Sequence, residues 1–359
     1  MTGQEPEQPI RKVRIILFCL GFLLAYLFFY WPLFVLTDFS SYPWLIPLCT
    51  FVVVPILDAV IGEYRWNWNP SEQKWLRKQV WLRLLPTIAV PAFIYYQVTI
   101  LGYFLTADNL LSQLGWIATA GIAGGVLAIN IAHELIHRKT PWEKRLGGLL
   151  LVSVAYGSFK VEHVYGHHTW VATPKDMTTA PKDMTIYQFW WRALSKTPVK
   201  AWQISKNLAT KKNHSFHELQ LLTLASVGFA IGYFLYAGTA GLVYWLAHSL
   251  FAILLLETVN YIEHYGLQRK QLDNGKYEPI TPMHSWNTSR LFTNYLLFNL
   301  QRHSDHHANA ALTYPMLRHF DESPQLPQGY ATMILLSLIP AAWKHVMNPR
   351  LEPSTSSSS

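Results

Sequence analysis

Cysteine is nearly absent from the 359-residue sequence, which contains only Cys19 and Cys49. Two cysteines can build neither a disulfide framework nor an iron–sulfur or rubredoxin-type site with four thiolate ligands. Any electron-transfer centre that the protein uses must therefore come from another protein. Charge is also scarce, because Asp, Glu, Lys and Arg make up only 14% of the residues, against about 25% in soluble domains.

Long uncharged runs account for this low charge, and hydrophobic residues make up 51% of the chain. A helix needs about 20 apolar residues to cross the hydrocarbon core of a bilayer. Six runs approach or exceed that length: 15–36, 44–61, 85–104, 113–132, 219–236 and 240–259. The sequence therefore predicts an all-α integral membrane protein with about six transmembrane helices. The alternative is a group of buried helices in a large soluble core.

Basic residues are missing from three long stretches, and this distribution predicts the orientation of the chain. All 29 Lys and Arg residues fall in the windows 11–14, 65–83, 138–212 and 269–350. Six helices that start from a cytoplasmic N-terminus place all four windows on one side of the membrane. Because cytoplasmic loops carry the excess of Lys and Arg, we expect both termini in the cytoplasm. The net charge of +8 then reflects topology rather than nucleic-acid binding, for which no motif is present.

The domain organisation follows from these spans. We expect a cytoplasmic N-terminal tail over 1–14 and a single six-span membrane domain over 15–351, which includes cytoplasmic histidine-rich segments. A Ser-rich tail over 352–359 is expected to be disordered, because it has little apolar surface to bury.

Histidine is what the sequence has in excess, and nine of its 15 histidines form four short clusters. These are His133 and His137; His163, His167 and His168; His264; and His303, His306 and His307. Spacings of three and four residues put histidines on one face of a helix. Neutral imidazole is a common transition-metal ligand, and a zinc site takes at most four protein ligands. Nine imidazoles therefore indicate more than one metal ion, at the cytoplasmic membrane boundary where the predicted topology brings the clusters together.

Two kinds of chemistry fit such a site. The sequence HELIH at 133–137 matches HExxH, a zinc motif of metalloproteases in which the Glu is the general base. An intramembrane zinc protease is therefore an alternative, but it would leave seven clustered histidines unused. A histidine-rich metal pair is better suited to oxygen chemistry, because open positions around Fe(II) admit O₂. An apolar substrate could then enter the site sideways from the bilayer.

The chain resembles the membrane non-haem di-iron alkane 1-monooxygenases (alkane hydroxylases) of the fatty acid desaturase-like superfamily. The matching stretches are 133–137 (HELIH), 162–168 (EHVYGHH), 172–174 (ATP), 260–267 (NYIEHYGL), 284–287 (HSWN), 300–308 (LQRHSDHHA), 324–327 (PQLP) and 347–350 (MNPR). The similarity extends through most of 10–351. The wider fatty acid desaturases share only HxxxH and HxxHH, and xylene monooxygenases lack the EHxxGHH and QRHxDHH forms. An appended rubredoxin domain, which some fused relatives have, is not seen.

This resemblance implies a function. The nine clustered histidines would bind two Fe ions, and the enzyme would convert medium- or long-chain n-alkanes to 1-alkanols with O₂. Electrons would come from NAD(P)H through a rubredoxin reductase and rubredoxin, and the protein would lie in the bacterial inner membrane. A lipid desaturase and an aromatic-methyl (xylene-type) monooxygenase remain alternatives.

Other residues have expected roles around the metals. Ligand histidines usually donate their second ring nitrogen to a carboxylate or a carbonyl. Four carboxylates adjoin a clustered histidine and are candidates for that role: Glu134, Glu162, Glu263 and Asp305. The alternative for each is a solvated or structurally paired carboxylate. His284 in the HSWN stretch is expected to support the ligands, whereas we expect ordinary roles for His214, His217, His248, His319 and His345.

A stripe on the second predicted span is the expected wall of a substrate tunnel. Asp58 marks the cytoplasmic end of this span, and Thr50 lies about two turns deeper on nearly the same face. Ile46 and Val54 share the stripe, and none of these side chains is aromatic. If the stripe lines the tunnel, it leaves room for alkanes of about ten carbons or more. The alternative is that Thr50 faces lipid or a neighbouring helix.

Overall fold

The structure is a computed structural model that describes residues 10–351. Within this range the chain is helical, with three isolated bridges and no β-strand. The α-helices are Lys12–Leu20, Leu24–Val35, Leu45–Leu48, Val54–Ile61, Pro70–Leu76, Val80–Leu84, Ala89–Leu105, Leu110–Ala123, Ile131–Ile136, Pro141–Ser153, Gly157–Glu162, His168–Trp170, Ile186–Lys211, Glu218–His264, Leu291–Leu296, His303–Ala308, Tyr330–Ser337 and Pro340–Met347. Short 3₁₀ helices cover Gly21–Leu23, Phe39–Ser41, Leu85–Ile88, Pro282–His284, Tyr314–Met316 and Asn348–Leu351. Wider π-helical turns cover Cys49–Val53, Gly124–Asn130 and His163–His167.

The two predicted tails fall largely outside this range. The N-terminal tail is described only from residue 10 onward, and the Ser-rich tail 352–359 lies outside the described residues.

Four helical stretches are long and apolar enough to cross a membrane: Lys12–Val35, Val80–Leu105, Leu110–Ile136 and Glu218–His264. Leu45–Ile61 is a shorter apolar helix. The prediction of an all-helical protein with several apolar helices is therefore confirmed. The count of six crossings stays a prediction.

Two of the predicted spans, 219–236 and 240–259, lie within the 47 residues of Glu218–His264. At a rise of about 1.5 Å per residue, a straight helix of this length would reach about 70 Å, more than twice the hydrocarbon thickness of a bilayer. The backbone departs from helical geometry at Ala237 and Gly238. This break divides the element into two apolar halves.

Glycines allow the helices that carry histidine ligands to approach one another closely. A Cβ atom on Gly121, Gly124 or Gly125 would lie within 2.9 Å of a side chain on the second half of Glu218–His264. The helix that leads to His133 therefore packs directly against the helix that ends at His264. Small residues serve the same purpose in membrane helix pairs generally, because they let the backbones come together.

A basic amphipathic helix supports the site from another side. Ile186–Lys211 begins at a capping box in which Thr185 and Gln188 exchange hydrogen bonds. Its buried side chains recur every three or four residues from Ile186 to Ser205, as expected for one buried face. This face packs against Gly157–Glu162 and Glu218–His264. The helix therefore holds the segment from which the second histidine cluster begins.

Candidate metal centre

The structure brings all nine clustered histidines together in two adjacent groups. The first consists of His133, His137, His163, His168 and His306, and the second consists of His167, His264, His303 and His307. Within each group, one potential ligand atom per residue lies within 4.8 Å of all the others. The two groups adjoin, since the ring centroids of His168 and His307 are 4.5 Å apart.

The grouping does not follow the i, i+4 spacing in every cluster. His163 and His167, four residues apart, belong to different groups, whereas His163 and His168, five residues apart, share one. The reason is the π-helical turn over His163–His167, in which residue i aligns with residue i+5 rather than i+4. His303 and His307 keep the α-helical relation and share the second group, while His306 points to the first. A single helical turn thus supplies ligands to both groups.

The contacts between the imidazoles have the geometry of a metal site. Nε2 atoms lie 3.0 Å apart between His163 and His168 and 3.1 Å apart between His168 and His306. In the second group, the Nε2 atom of His307 is 2.9 Å from that of His303. Two nitrogens that share an ion at about 2.1 Å are separated by about 3.0–3.4 Å in octahedral or tetrahedral geometry. These separations therefore match nitrogens that point at a common ion.

Burial favours the neutral form of most of these imidazoles; for His167 burial also lowers the pKa, but the Asp176 carboxylate raises it above its usual value. Desolvation, with the neighbouring imidazoles, lowers the pKa of His163, His168 and His306, and burial lowers the pKa of His137 to about 3. A neutral imidazole has a free lone pair for a metal without first losing a proton. The buried Nε2 atoms of His133 and His137 have no hydrogen-bond partner within residues 10–351. An unpartnered buried nitrogen is costly unless it binds something, so the donor set fits a pair of transition-metal ions.

Asp176 is a supporting residue that the sequence-based reasoning missed. Nδ1 of His167 lies 2.8 Å from Asp176 Oδ2, and the carboxylate also accepts a hydrogen bond from the Thr179 hydroxyl at 2.7 Å. This bond places the proton on Nδ1 and leaves Nε2 free to face the second group. Although burial alone would raise the pKa of Asp176, His167 holds it below its usual value. A sequence signal did exist, because Asp176 is the only acidic residue between His168 and Lys182.

Three of the four expected carboxylates bind basic side chains or backbone instead of ligand histidines. Glu134 pairs with Arg138 at 2.6 Å, and Glu162 lies 3.3 Å from Lys200 Nζ. Asp305 pairs with Arg318. These carboxylates therefore tie the histidine-bearing segments to their surroundings.

Glu263 is different, because it approaches the ligand atoms themselves. Its Oε2 lies 3.2 Å from His303 Nε2, and its Oε1 accepts a hydrogen bond from the Tyr330 hydroxyl at 2.6 Å. Since Nε2 is the atom that His303 directs to the second group, Glu263 lies beside the same metal position.

The remaining histidines lie outside both groups. The His284 side chain lies 3.2 Å from Glu278, and the backbone of His284 is a hydrogen-bond partner of the His264 ring. His217 contacts Ser205, and His319 contacts Ser289 and Asp321. His248 is fully buried, and neither of its ring nitrogens has a hydrogen-bond partner in the described part of the chain.

An apolar cavity lies among the apolar helices, close to the segments that carry the histidine groups. It is lined by Phe28, Phe29, Thr50, Phe51, Val54, Ile122, Gly125, Val126, Asn130, Leu255, Leu256, Val259, Thr293, Leu296, Leu297, Leu300, Tyr330, Ala331 and Ile334. Two lining residues, Asn130 and Leu300, come three positions before His133 and His303. A third, Tyr330, reaches His303 through Glu263. These three residues place one end of the cavity near the histidine groups, although no clustered histidine is itself in the lining.

The predicted tunnel stripe lies only partly along this cavity. Thr50 and Val54 line it, whereas Ile46 is buried in the hydrophobic core and does not. The π-helical turn over Cys49–Val53 changes the angular spacing of residues. Side chains on either side of the turn therefore do not share the face that an unbroken α-helix would give them.

A second, polar cleft reaches the first group from the surface. It is lined by Arg83, Glu134, His137, Arg138, Lys139, Thr140, Glu143, Ala310, Ala311, Leu312 and Thr313. His137 is therefore a clustered histidine that borders this cleft, and three basic side chains surround it.

Comparisons with known proteins agree with this geometry. A model of the fatty acid desaturase family matches residues 109–337. The chain is 44% identical over 319 residues to alkane 1-monooxygenase 2 of Alcanivorax borkumensis, covering 86% of this chain and 82% of the relative. It is 42% identical over 322 residues to alkane 1-monooxygenase 2 of Pseudomonas aeruginosa, covering 87% and 85%. The hydroxylase component of a xylene/toluene monooxygenase from Pseudomonas putida is 30% identical over 238 residues, or 65% of this chain and 63% of the relative.

Proposed function

The chain belongs to the alkane 1-monooxygenases within the fatty acid desaturase family, and from this membership we propose that it hydroxylates the terminal carbon of medium- to long-chain n-alkanes. The reaction combines R–CH₃, O₂, two electrons and two protons to give R–CH₂OH and water. The observation that carries the proposal is an apolar cavity that ends near two histidine groups. An alkane has no polar group, so only such a cavity can bind it.

The two histidine groups are the proposed iron sites. Five imidazoles would hold one Fe ion and four would hold the other, with Asp176 orienting His167. Imidazole ligands with open positions allow iron to activate O₂, which is the chemistry that two bound irons would supply here. The surrounding protein buries most of the imidazoles and lines the cavity with apolar side chains.

The cavity positions the substrate. Its wall is almost entirely aliphatic and aromatic, so an alkane binds there through van der Waals contacts and without directional hydrogen bonds. Because one end lies near the histidine groups, a chain that fills the cavity presents its terminal carbon there. This arrangement favours oxidation at the end of the chain over oxidation at an internal carbon.

Electrons are proposed to come from a separate rubredoxin, reduced by an NAD(P)H-dependent reductase. Cys19 and Cys49 are free cysteines, too few for an internal iron–sulfur centre. The cleft with Arg83, Arg138 and Lys139 borders His137. Rubredoxins are acidic, so the basic cytoplasmic surface around this cleft is the proposed docking surface, with charge complementarity guiding the encounter. Within the cleft, Arg83 and Arg138 pair with Glu143 and Glu134, and Lys139 adds positive charge.

The proposed location is the bacterial inner membrane, with both termini in the cytoplasm. Support comes from the apolar helices and from the restriction of Lys and Arg to four windows. In this orientation the polar cleft faces the cytoplasm, where a soluble rubredoxin is found.

Whole-cell conversion of C6–C20 n-alkanes with a co-expressed rubredoxin and reductase tests the function. We expect 1-alkanols, and no product without rubredoxin. An alkene as the main product would indicate a lipid desaturase, and benzyl alcohol formed from toluene in preference to alkanol from alkanes would indicate an aromatic-methyl monooxygenase. Elemental analysis that finds one zinc and no iron would instead support the zinc protease.

A further inference from the structure

One of the polar side chains in the apolar cavity has a hydrogen-bonding group that an apolar substrate cannot satisfy. Its lining includes four polar side chains: Asn130, Thr50, Thr293 and Tyr330. Among the described residues, the Nδ2 atom of Asn130 is buried and has no hydrogen-bond partner. Asn130 itself is 4% exposed.

The other three polar side chains of the cavity are engaged with protein. The Thr50 hydroxyl donates to the Ile46 carbonyl at 2.8 Å, and the Thr293 hydroxyl donates to Asp58 at 2.6 Å. The Tyr330 hydroxyl donates to Glu263. Among the polar side chains of this lining, Asn130 is thus the one whose donor group is available to a ligand.

Asn130 also lies at the end of the cavity that is near the histidine groups. It is the last residue of the π-helical turn Gly124–Asn130, and His133 follows three residues later. Residues three apart on a helix are neighbours on its surface. The amide is therefore close to the position that the reacting carbon of a bound chain would occupy.

A buried amide without a partner destabilises the protein, because it loses its hydrogen bonds to water and gains none. An n-alkane cannot relieve this loss. The product can, because hydroxylation adds one oxygen at the terminal carbon, beside Asn130. Retention of an amide at this position is thus explained by a ligand that carries a terminal oxygen.

We propose that Asn130 is a specificity-determining residue that binds the terminal hydroxyl of primary alcohols, with its Nδ2 donating to the hydroxyl oxygen. This inference rests on the proposed function for the identity of the alcohol, which is the 1-alkanol product. Asn130 favours the alcohol over the alkane of the same length. The product therefore remains in the cavity longer than apolar contacts alone would hold it, and it competes with the substrate.

The test compares Asn130→Leu with wild type, using purified iron-loaded protein in nanodiscs. Leucine has a similar volume and cannot hydrogen-bond. Two quantities are measured: direct binding of radiolabelled 1-dodecanol, and its inhibition constant against n-dodecane hydroxylation. We expect both the dissociation constant and the inhibition constant of 1-dodecanol to rise about fivefold, as for the loss of one neutral hydrogen bond. The KM for n-dodecane should not rise.

A matched control is Thr50→Val, which removes a hydroxyl from the same cavity that is already bonded to backbone. It should leave the ratio of alkanol affinity to alkane affinity unchanged. Asn130→Ala removes the amide without adding branched bulk and should reproduce the selective loss of alkanol binding. A structural role is tested by thermal unfolding, which Asn130→Leu should not shift to lower temperature, because no hydrogen bond within the protein is lost.

Three results would overturn the inference. Equal weakening of alkane and alkanol in both Asn130 variants would indicate packing alone, and so would a lower unfolding temperature with unchanged alkanol selectivity. A fall in kcat with unchanged alkanol binding would indicate that the amide acts in oxygen activation and not in alkanol binding. Failure of the proposed function is distinguishable: a wild-type protein that makes no alkanol, yet binds 1-dodecanol in an Asn130-dependent way, would refute alkane hydroxylation and support hydroxyl recognition.

Discussion

The nine histidines differ in how strongly the structure surrounds them. Most are fully buried, but His137 and His168 in the first group are partly exposed. The second group has four members, all buried. A group of five retains four donors when one is removed, and four is the number that a closed zinc-type site uses. Loss of one imidazole should therefore have different consequences in the two groups.

The first prediction compares His307→Ala with His137→Ala. His307 is one of four donors, and its Nε2 lies close to those of His303 and His167, so its loss leaves three. We expect His307→Ala to lower iron content by about one ion per chain, and His137→Ala to lower it less. Elemental analysis of anaerobically purified protein measures this, with His345→Ala as the control. Equal losses in the two variants would contradict the division into groups of five and four.

The second prediction concerns Asp176. Asp176→Asn keeps the size of the side chain but removes the charge that orients His167. Loss of such a partner typically costs about 10- to 100-fold in metal affinity or activity. We expect a decrease of that size in iron affinity, measured by competition with a chelator. Asp273→Asn, in an exposed loop, is the control. An unchanged affinity in Asp176→Asn would show that Asp176 has no part in holding the metal.

Among the helices, three π-helical turns lie next to functional features. One precedes the helix of His133, one carries His163 and His167, and one lies beside the cavity at Thr50. Such turns are frequent at functional sites, because an extra residue redirects the side chains that follow. Here they decide which histidines share a group and which residues of the second predicted span reach the cavity.

The third prediction is that Thr50→Trp shifts the preference to shorter alkanes without abolishing activity. Thr50 lines the cavity, and a tryptophan there would fill space that the distal part of a long chain needs. The product profile across C6–C20 measures the shift. Val60→Trp is the matched control, because Val60 is on the same apolar helix and is 78% exposed. A C6–C20 profile that is the same in Thr50→Trp and wild type would remove Thr50 from the substrate site.

The fourth prediction concerns the break in the longest helix. Gly238 has φ of 60° and ψ of −150°, a conformation that is essentially restricted to glycine. Gly238→Ala should therefore destabilise the protein by about 1–3 kcal/mol, seen as a lower unfolding temperature in detergent. Gly232→Ala, in a helical position with open space around it, should be neutral or slightly stabilising. A Gly238→Ala variant as stable as wild type would show that the break is not needed.

For the whole molecule, charge and hydrophobic length together predict which loops face which side. The segments 37–43, 102–112 and 238–239 contain no Lys or Arg. The last of them coincides with the break at Ala237 and Gly238. A polypeptide that reverses direction there would place both histidine groups on the side that carries the basic residues.

The fifth prediction tests this orientation. In a background without Cys19 and Cys49, single cysteines are placed at Ser40, Asp108, Thr239, Lys78 and Lys211. A membrane-impermeant thiol reagent added to intact cells should label the first three positions and not the two lysine positions. Labelling of position 239 only after the membrane is broken would contradict the six-span topology.

The sequence by itself determined the class of protein and the identity of the metal-binding candidates. Apolar length and low charge are local properties of the chain, and nine imidazoles at helical spacings are visible without coordinates. The protein class can be predicted from the sequence because membrane insertion depends on the composition of each segment.

Only the tertiary structure decided how those residues are grouped and supported. The π-helical turn that separates His163 from His167 cannot be predicted from the residue composition of that segment. Packing between segments decides the bond between Asp176 and His167 and the position of Asn130 in the cavity. The physical reason is that the partner of a side chain depends on where the folded backbone brings it, and not on its neighbours along the chain.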